Sequence, residues 1–213
     1  MIYQNNKLKK VFGSKCTAIN INGESDSYIN IPTREMRLCE AVKQSFKVPV
    51  RISIENLDCP GARRSVGFER DERQLIEEIT GHSQISESYI INALLTIPAL
   101  TGIRHINLGV TESMKDDLQP DLYILYVQPF IITNLMHNLA KLEIRPSIPS
   151  YSFLSVCGSV LANCYFNQVV SISFGCPESR NHGGIGKNEV VLGLPAGIAS
   201  ELLQYYEQER IEI

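Results

Sequence analysis

The segment Leu38-Cys39-Glu40-Ala41-Val42, continuing through Val50-Arg51-Ile52-Ser53-Ile54 to Cys59-Pro60-Gly61-Ala62-Arg63, is written twice in the chain. Its second copy runs Val156-Cys157-Gly158-Ser159-Val160, then Gln168-Val169-Val170-Ser171-Ile172, then Cys176-Pro177-Glu178-Ser179-Arg180. Aligned on the first cysteine, the copies hold register through the Ile-Ser-Ile and Val-Ser-Ile stretches, and the second loses one residue before its Cys-Pro. Each copy reads as a cysteine, a helix, a strand, and a cysteine at the strand's end. Two copies about 117 residues apart do not make a solenoid. They predict one compact α/β unit built from two βα halves related by a pseudo-twofold axis.

Around the first copy, Met36, Cys39, Ala41, Val42 and Phe46 recur near helical spacing, with Pro32 and Thr33 placed to open and cap the helix. Val48 to Ile54 alternates and is rich in β-branched residues, so it predicts a strand ending at the Cys-Pro-Gly turn. Short amphipathic helices follow, one over Glu72 to Ile79 closed by Gly81 and one over Ser86 to Leu95 capped by Ser86 or Ser88. Strands are predicted over Ile103 to Val110, Leu122 to Val127 and Val190 to Leu194. Pro129 and Pro195 stand where helices begin, Phe130 to Leu142 and Ala196 to about Glu209. Arg145 to Ser150, with two prolines, reads as a linker between halves. The polar, weakly patterned start of the chain, with a short alternating piece at Ala18 to Ile21, predicts a loosely attached arm or edge hairpin, residues 1–32, with an α/β domain over 33–213 and halves about 33–119 and 120–213. Strands alternating with helices favour layered α/β architecture without fixing strand order.

The chain has 213 residues, 44% hydrophobic and 20% charged, which is globular composition with enough length for a substantial core. A net charge of -3 provides no basic field for nucleic acid or anionic lipid. No early stretch has signal-peptide form and no apolar run is long enough for a bilayer, so the reading is a cytoplasmic protein without nucleic-acid or membrane partners. Six cysteines in a compartment that keeps thiols reduced are read as metal ligands or reactive thiols.

The stretches Cys-Pro-Gly-Ala-Arg-Arg-Ser-Val-Gly-Phe (59 to 68), Pro-Asp-Leu-Tyr-Ile-Leu (120 to 125) and Ser-Phe-Gly-Cys-Pro-Glu-Ser-Arg (173 to 180) resemble an uncharacterised prokaryotic family, the ArCR proteins, domain-of-unknown-function family 169. The resemblance covers roughly residues 33 to 207. It implies kinship without an activity, so the chemistry has to come from the residues themselves.

Cys39, Cys59, Cys157 and Cys176 occupy equivalent places in the two copies, whereas Cys16 and Cys164 have no counterpart. Any one cysteine can be a small apolar packing residue. Cys59 and Cys176, however, sit in turns with proline behind them, where backbone N–H groups can reach a thiolate or cluster sulfur. Four thiolates brought together by the twofold axis suit a [4Fe–4S] cluster, with tetrahedral zinc as the alternative. Arg63, Arg64 and Arg180 follow the turn cysteines. They are candidates to offset cluster charge or grip an anionic ligand, or simply to pin the turn through carbonyl contacts. Asn181 to Gly186 lacks the Lys-Ser/Thr of a phosphate-binding loop and reads as a mobile lid, with His182 as a candidate ligand-binding residue beside it.

The functional expectation is an iron–sulfur protein that exchanges electrons with a redox partner protein or binds a small anionic ligand. One alternative is a cysteine-dependent enzyme with Cys59 or Cys176 as nucleophile. Another is a structural zinc or ligand-binding module.

Overall fold

The computed structural model describes residues 2–13, 15–23, 32, 34–68, 72–109, 119–149 and 151–209. In chain order these form α1 (Ile2–Phe12), β1 (Cys16–Ile21), α2 (Leu38–Ser45), β2 (Val50–Ser53), α3 (Pro60–Val66), α4 (Glu72–Ser83), α5 (Glu87–Thr96) and β3 (His105–Gly109). There follow β4 (Leu122–Val127), α6 (Pro129–Lys141), a π-helix (Ser155–Ala162), α7 (Asn163–Asn167), β5 (Ser171–Ser173), α8 (Pro177–Asn181), β6 (Val190–Pro195) and α9 (Ala196–Glu209). Among the described residues the strands make one six-stranded sheet in the order β2-β3-β1-β4-β6-β5, with every neighbouring pair antiparallel.

Helices cover both faces of this sheet, which is why β4 and β6 are apolar on both sides, whereas β1 and β3 bury the polar Thr17, Asn20, His105 and Asn107 among their apolar residues. On β4, Leu122, Ile124 and Tyr126 face a core shared with α2, α3, α5 and the π-helix. Tyr123, Leu125 and Val127 face the opposite core, shared with α1, α6 and α9. The antiparallel pairing is set by which strands neighbour one another, a long-range matter that the alternation of helix and strand leaves open. No helix among the described residues is long and apolar enough to cross a membrane.

The first residues of the chain differ from the arm expected over 1–32. Cys16–Ile21 is an interior strand, paired with β3 on one side and β4 on the other. Ahead of it, Leu8 and Phe12 of α1 are fully buried in the second core. Within β1, Cys16 and Ala18 face one core while Ile19 and Ile21 face the other. The strand is short, and Thr17 and Asn20 break its apolar run, so it does not stand out from the polar residues around it.

Thr33, the expected cap of the first strong helix, lies outside the described residues. That helix, α2, starts at Leu38, where the Arg37 amide donates to Glu40 Oε2 at 3.0 Å. Just before it, Met36 makes a parallel bridge with Leu57, its amide donating to Asn56 O at 3.0 Å and its carbonyl accepting from Asp58 N at 2.9 Å. The stretch expected as a linker also pairs. Ser147 N donates to Val170 O at 2.7 Å and Ile172 N donates to Ser147 O at 2.9 Å, beside β5.

Candidate functional site

Both Cys-Pro turns fold in the same way. Cys59 and Cys176 are the extended residues just ahead of α3 and α8, and Pro60 and Pro177 take the first helical position, where a missing N–H costs nothing. The first turn then closes identically, Arg63 N donating to Cys59 O at 2.9 Å and Arg180 N to Cys176 O at 3.0 Å. At Cys59 the Ala62 amide favours the thiolate, but burial outweighs it and the thiol's pKa is raised. At Cys176 the turn is tied by Ser179, whose hydroxyl accepts from Cys176 N at 2.8 Å, donates to Cys176 O at 2.9 Å and stands 3.4 Å from the sulfur.

The two helical cysteines reach the same place from other directions. Because Met36 pairs with Leu57, the segments leading into Cys39 and Cys59 run side by side and arrive together. Cys39 sits in the first turn of α2, and its thiol points to Glu178 O, 3.9 Å away on α8. Cys157 lies in the π-helix, which packs against α3. Together Cys39, Cys59, Cys157 and Cys176 line one cavity of about 730 Å³.

The electrostatics of the thiols agree with that convergence. Burial pushes the Cys39 thiol up to about 12, helped by Cys59 and Cys176, while the nearby Arg37 pulls it back down. Burial pushes Cys157 well above the ordinary thiol range, with Cys59, Cys176 and Cys39 adding to it. Cys59 is also raised by Cys176. Burial is the first cause at Cys39, Cys59 and Cys157, and the neighbouring sulfurs add to it at each. Cys39 and Cys157 are buried, whereas Cys59 and Cys176 are half-buried. Cys16 and Cys164 are fully buried and do not line the cavity.

The charged residues sort differently from the cysteines. Arg63 donates to Leu57 O at 2.8 Å and Ile54 O at 3.0 Å. Arg180 donates to Gly186 O at 2.9 Å, Glu189 O at 3.3 Å and the carbonyl of Phe174. Arg64, nearly buried, donates to Leu94 O and Ile97 O, both at 2.6 Å, and to Glu72 at 2.9 Å. None of the three lines the cavity. Their guanidinium groups hold backbone carbonyls, the structural role weighed above, and in both copies the arginine four residues after the cysteine reaches back to a carbonyl at the strand's end. His182 stands outside the lining, 3.4 Å from Glu178. The loop expected as a lid is tied down. Gly186 N donates to Glu189 Oε2 at 2.7 Å, Lys15 bonds Glu189 at 2.7 Å and Gly184 O at 3.3 Å, and a Cβ at Gly183 would lie 2.9 Å from Cys39 Cβ and 2.5 Å from Ser179 O.

The cation at the cavity is instead Arg37, paired with Glu178 at 2.6 Å, with Glu78 of α4 also in the lining. The sequence carries no mark for Arg37, because the matching position in the second copy is Ser155. Glu78 lies between the copies, and its place is decided by how α4 packs on α3 and α5. Among the described residues no group of three or more histidine, cysteine, aspartate or glutamate side chains is arranged to hold a metal ion. The donor set is therefore four soft sulfurs around a roomy, largely apolar cavity, without convergence on a single-ion position.

A layered α/β protein whose named strands, among the described residues, pair antiparallel, with a cavity lined by four cysteines, is the class that fold and site define. The chain belongs to the uncharacterised ArCR family, domain-of-unknown-function family 169, whose model matches residues 17–205. That match takes in β1 from its second residue and both copies of the cysteine phrase. Comparison with curated proteins and with solved structures finds no match.

Proposed function

We propose that this protein holds an iron–sulfur cluster of the [4Fe–4S] type on Cys39, Cys59, Cys157 and Cys176, and serves in one-electron exchange with a redox partner protein. The observation that carries the proposal is that the four cysteines singled out by the repeat, two from each copy, line one cavity. All-sulfur ligation is the chemistry of such clusters. Zinc in a tetrahedral site needs its sulfurs about 2.3 Å from one point, and the described residues offer no such group. A cubane carries its ligands on separate corners, so it asks the four sulfurs to surround a larger volume than a single ion does. Bound there, the cluster would supply the electron-carrying chemistry. This chain's own residues would deprotonate to ligate it, shield it from water with the apolar wall, and offset part of its negative charge with Arg37.

The strand order supports reading the chain as two pseudo-twofold halves. Exchanging β1, β2 and β3 with β4, β5 and β6 turns the order β2-β3-β1-β4-β6-β5 into its own reverse. On that reading the first half takes in β1 as well as residues 33–119. Six free thiols suit a reducing compartment, and we assign the protein to the cytoplasm.

Protein purified without oxygen tests the proposal. The expected result is a brown solution with broad absorption near 400 nm and about four iron and four labile sulfide per chain. A colourless protein with one zinc would replace the cluster by a structural ion. A protein with neither metal would turn attention to Cys59 or Cys176 as a nucleophile.

A further inference from the structure

The cavity extends well past its sulfurs. Its volume of about 730 Å³ lies within the range of roughly 300–1,000 Å³ typical of pockets for organic ligands, and a cubane would take only part of it. The rest is walled by Leu75 and Ile79 of α4, Ile85 in the turn that follows, and Phe153 and Leu154 ahead of the π-helix. Ser83, also in the wall, spends its hydroxyl on the carbonyl of Ile79 within its own helix. Leu154 holds a left-handed backbone, φ 52° and ψ 38°, which is rare for a bulky side chain and which tends to be kept at ligand sites.

Charge decides which organic molecules suit this wall. Arg37 is the lining residue that could attract an anion, and it is already paired with Glu178 at 2.6 Å. Glu78 and Glu178 both line the cavity, and sulfur ligands around a cluster would add further negative charge. Among the described lining residues an anionic ligand would find no basic side chain beyond Arg37. The arginines on which the expectation of an anion rested, Arg63, Arg64 and Arg180, stand outside the cavity.

We infer that the cavity binds an uncharged, largely apolar organic molecule against the wall of Leu75, Ile79, Ile85 and Phe153, next to the sulfur site. Its position beside a cluster rests on the function proposed above, whereas its affinity rests on the wall alone.

The test uses the full chain and two fluorescent probes with the same ring system, neutral N-phenyl-1-naphthylamine and anionic 8-anilino-1-naphthalenesulfonate. The neutral probe is expected to bind saturably, one per chain, with blue-shifted emission, and the sulfonate to bind at least about tenfold more weakly. Ile79→Asp and Ile85→Asp, both at partly exposed positions, are each expected to weaken the neutral probe by about tenfold or more while circular dichroism and the urea midpoint verify the fold. Absence of saturable neutral-probe binding, equal or tighter sulfonate binding, or unchanged affinity in a folded variant overturns the inference. Measured beside the iron count, the two failures separate. Metal-free protein that binds the neutral probe overturns the cluster and keeps this site, whereas iron-loaded protein that ignores the probe overturns this site alone.

Discussion

Arginines near the two turn cysteines work on the backbone, and Arg64 is the most deeply committed of them. It is nearly buried, and its guanidinium bridges the end of α5 to α3 through Leu94 O and Ile97 O while Glu72 balances its charge from the surface. Removing it leaves two buried carbonyls without their donor, and such losses cost about 3 kcal/mol. Arg64→Met is therefore expected to lower the urea midpoint by that equivalent while leaving the metal content per folded chain as in the parent. Iron loss at an unchanged midpoint would instead place Arg64 in the site. At this scale the sequence was legible where the repeat spoke twice. The four cysteines stand out because each has a counterpart, whereas Arg37 has Ser155 opposite it and Glu78 has none, so their part in the cavity depends on packing that no local pattern encodes.

Among the elements, the π-helix Ser155–Ala162 carries the most consequence. Every residue in it is buried, so its sequence shows no polar face from which a period could be read, and a widened turn is invisible before the neighbours are known. It begins after the left-handed Leu154 and brings Cys157 against α3 through Gly158. A Cβ on Gly158 would lie 2.7 Å from Ile97 Cγ2, 3.0 Å from Leu154 Cβ and 3.1 Å from Ser65 Oγ, crowded on three sides. Gly158→Ala is expected to destabilise the fold by about 1–3 kcal/mol, as overpacking does. It should also lower metal retention, because the strain is relieved by moving Cys157 away from Cys59. Urea unfolding and iron counts on the same preparation check both effects, and full iron retention would show that the close approach serves packing alone. Other elements were easier to read. Pro129 and Ser86 mark the starts of α6 and α5 because proline and serine act through local chemistry at those positions.

For the molecule as a whole, the two-half organisation proposed above would join the repeat to the sheet. The phrase in the sequence predicts two related halves. In the structure its copies include the strands at opposite edges, β2 and β5, and the turns that follow both contribute a cysteine to the lining of one cavity. The place of β1 was not legible, because its six residues gain their meaning only between β3 and β4. If the duplicated phrase serves one shared site, the six cysteines must be unequal, and single Cys→Ser variants prepared without oxygen measure that inequality directly. Cys59→Ser and Cys176→Ser are predicted to lose the metal, Cys39→Ser and Cys157→Ser to retain little, and Cys16→Ser and Cys164→Ser to match the parent in iron and zinc per chain. Equal metal in all six variants, or none in the parent, would contradict the shared site and leave the repeat with a role in packing only.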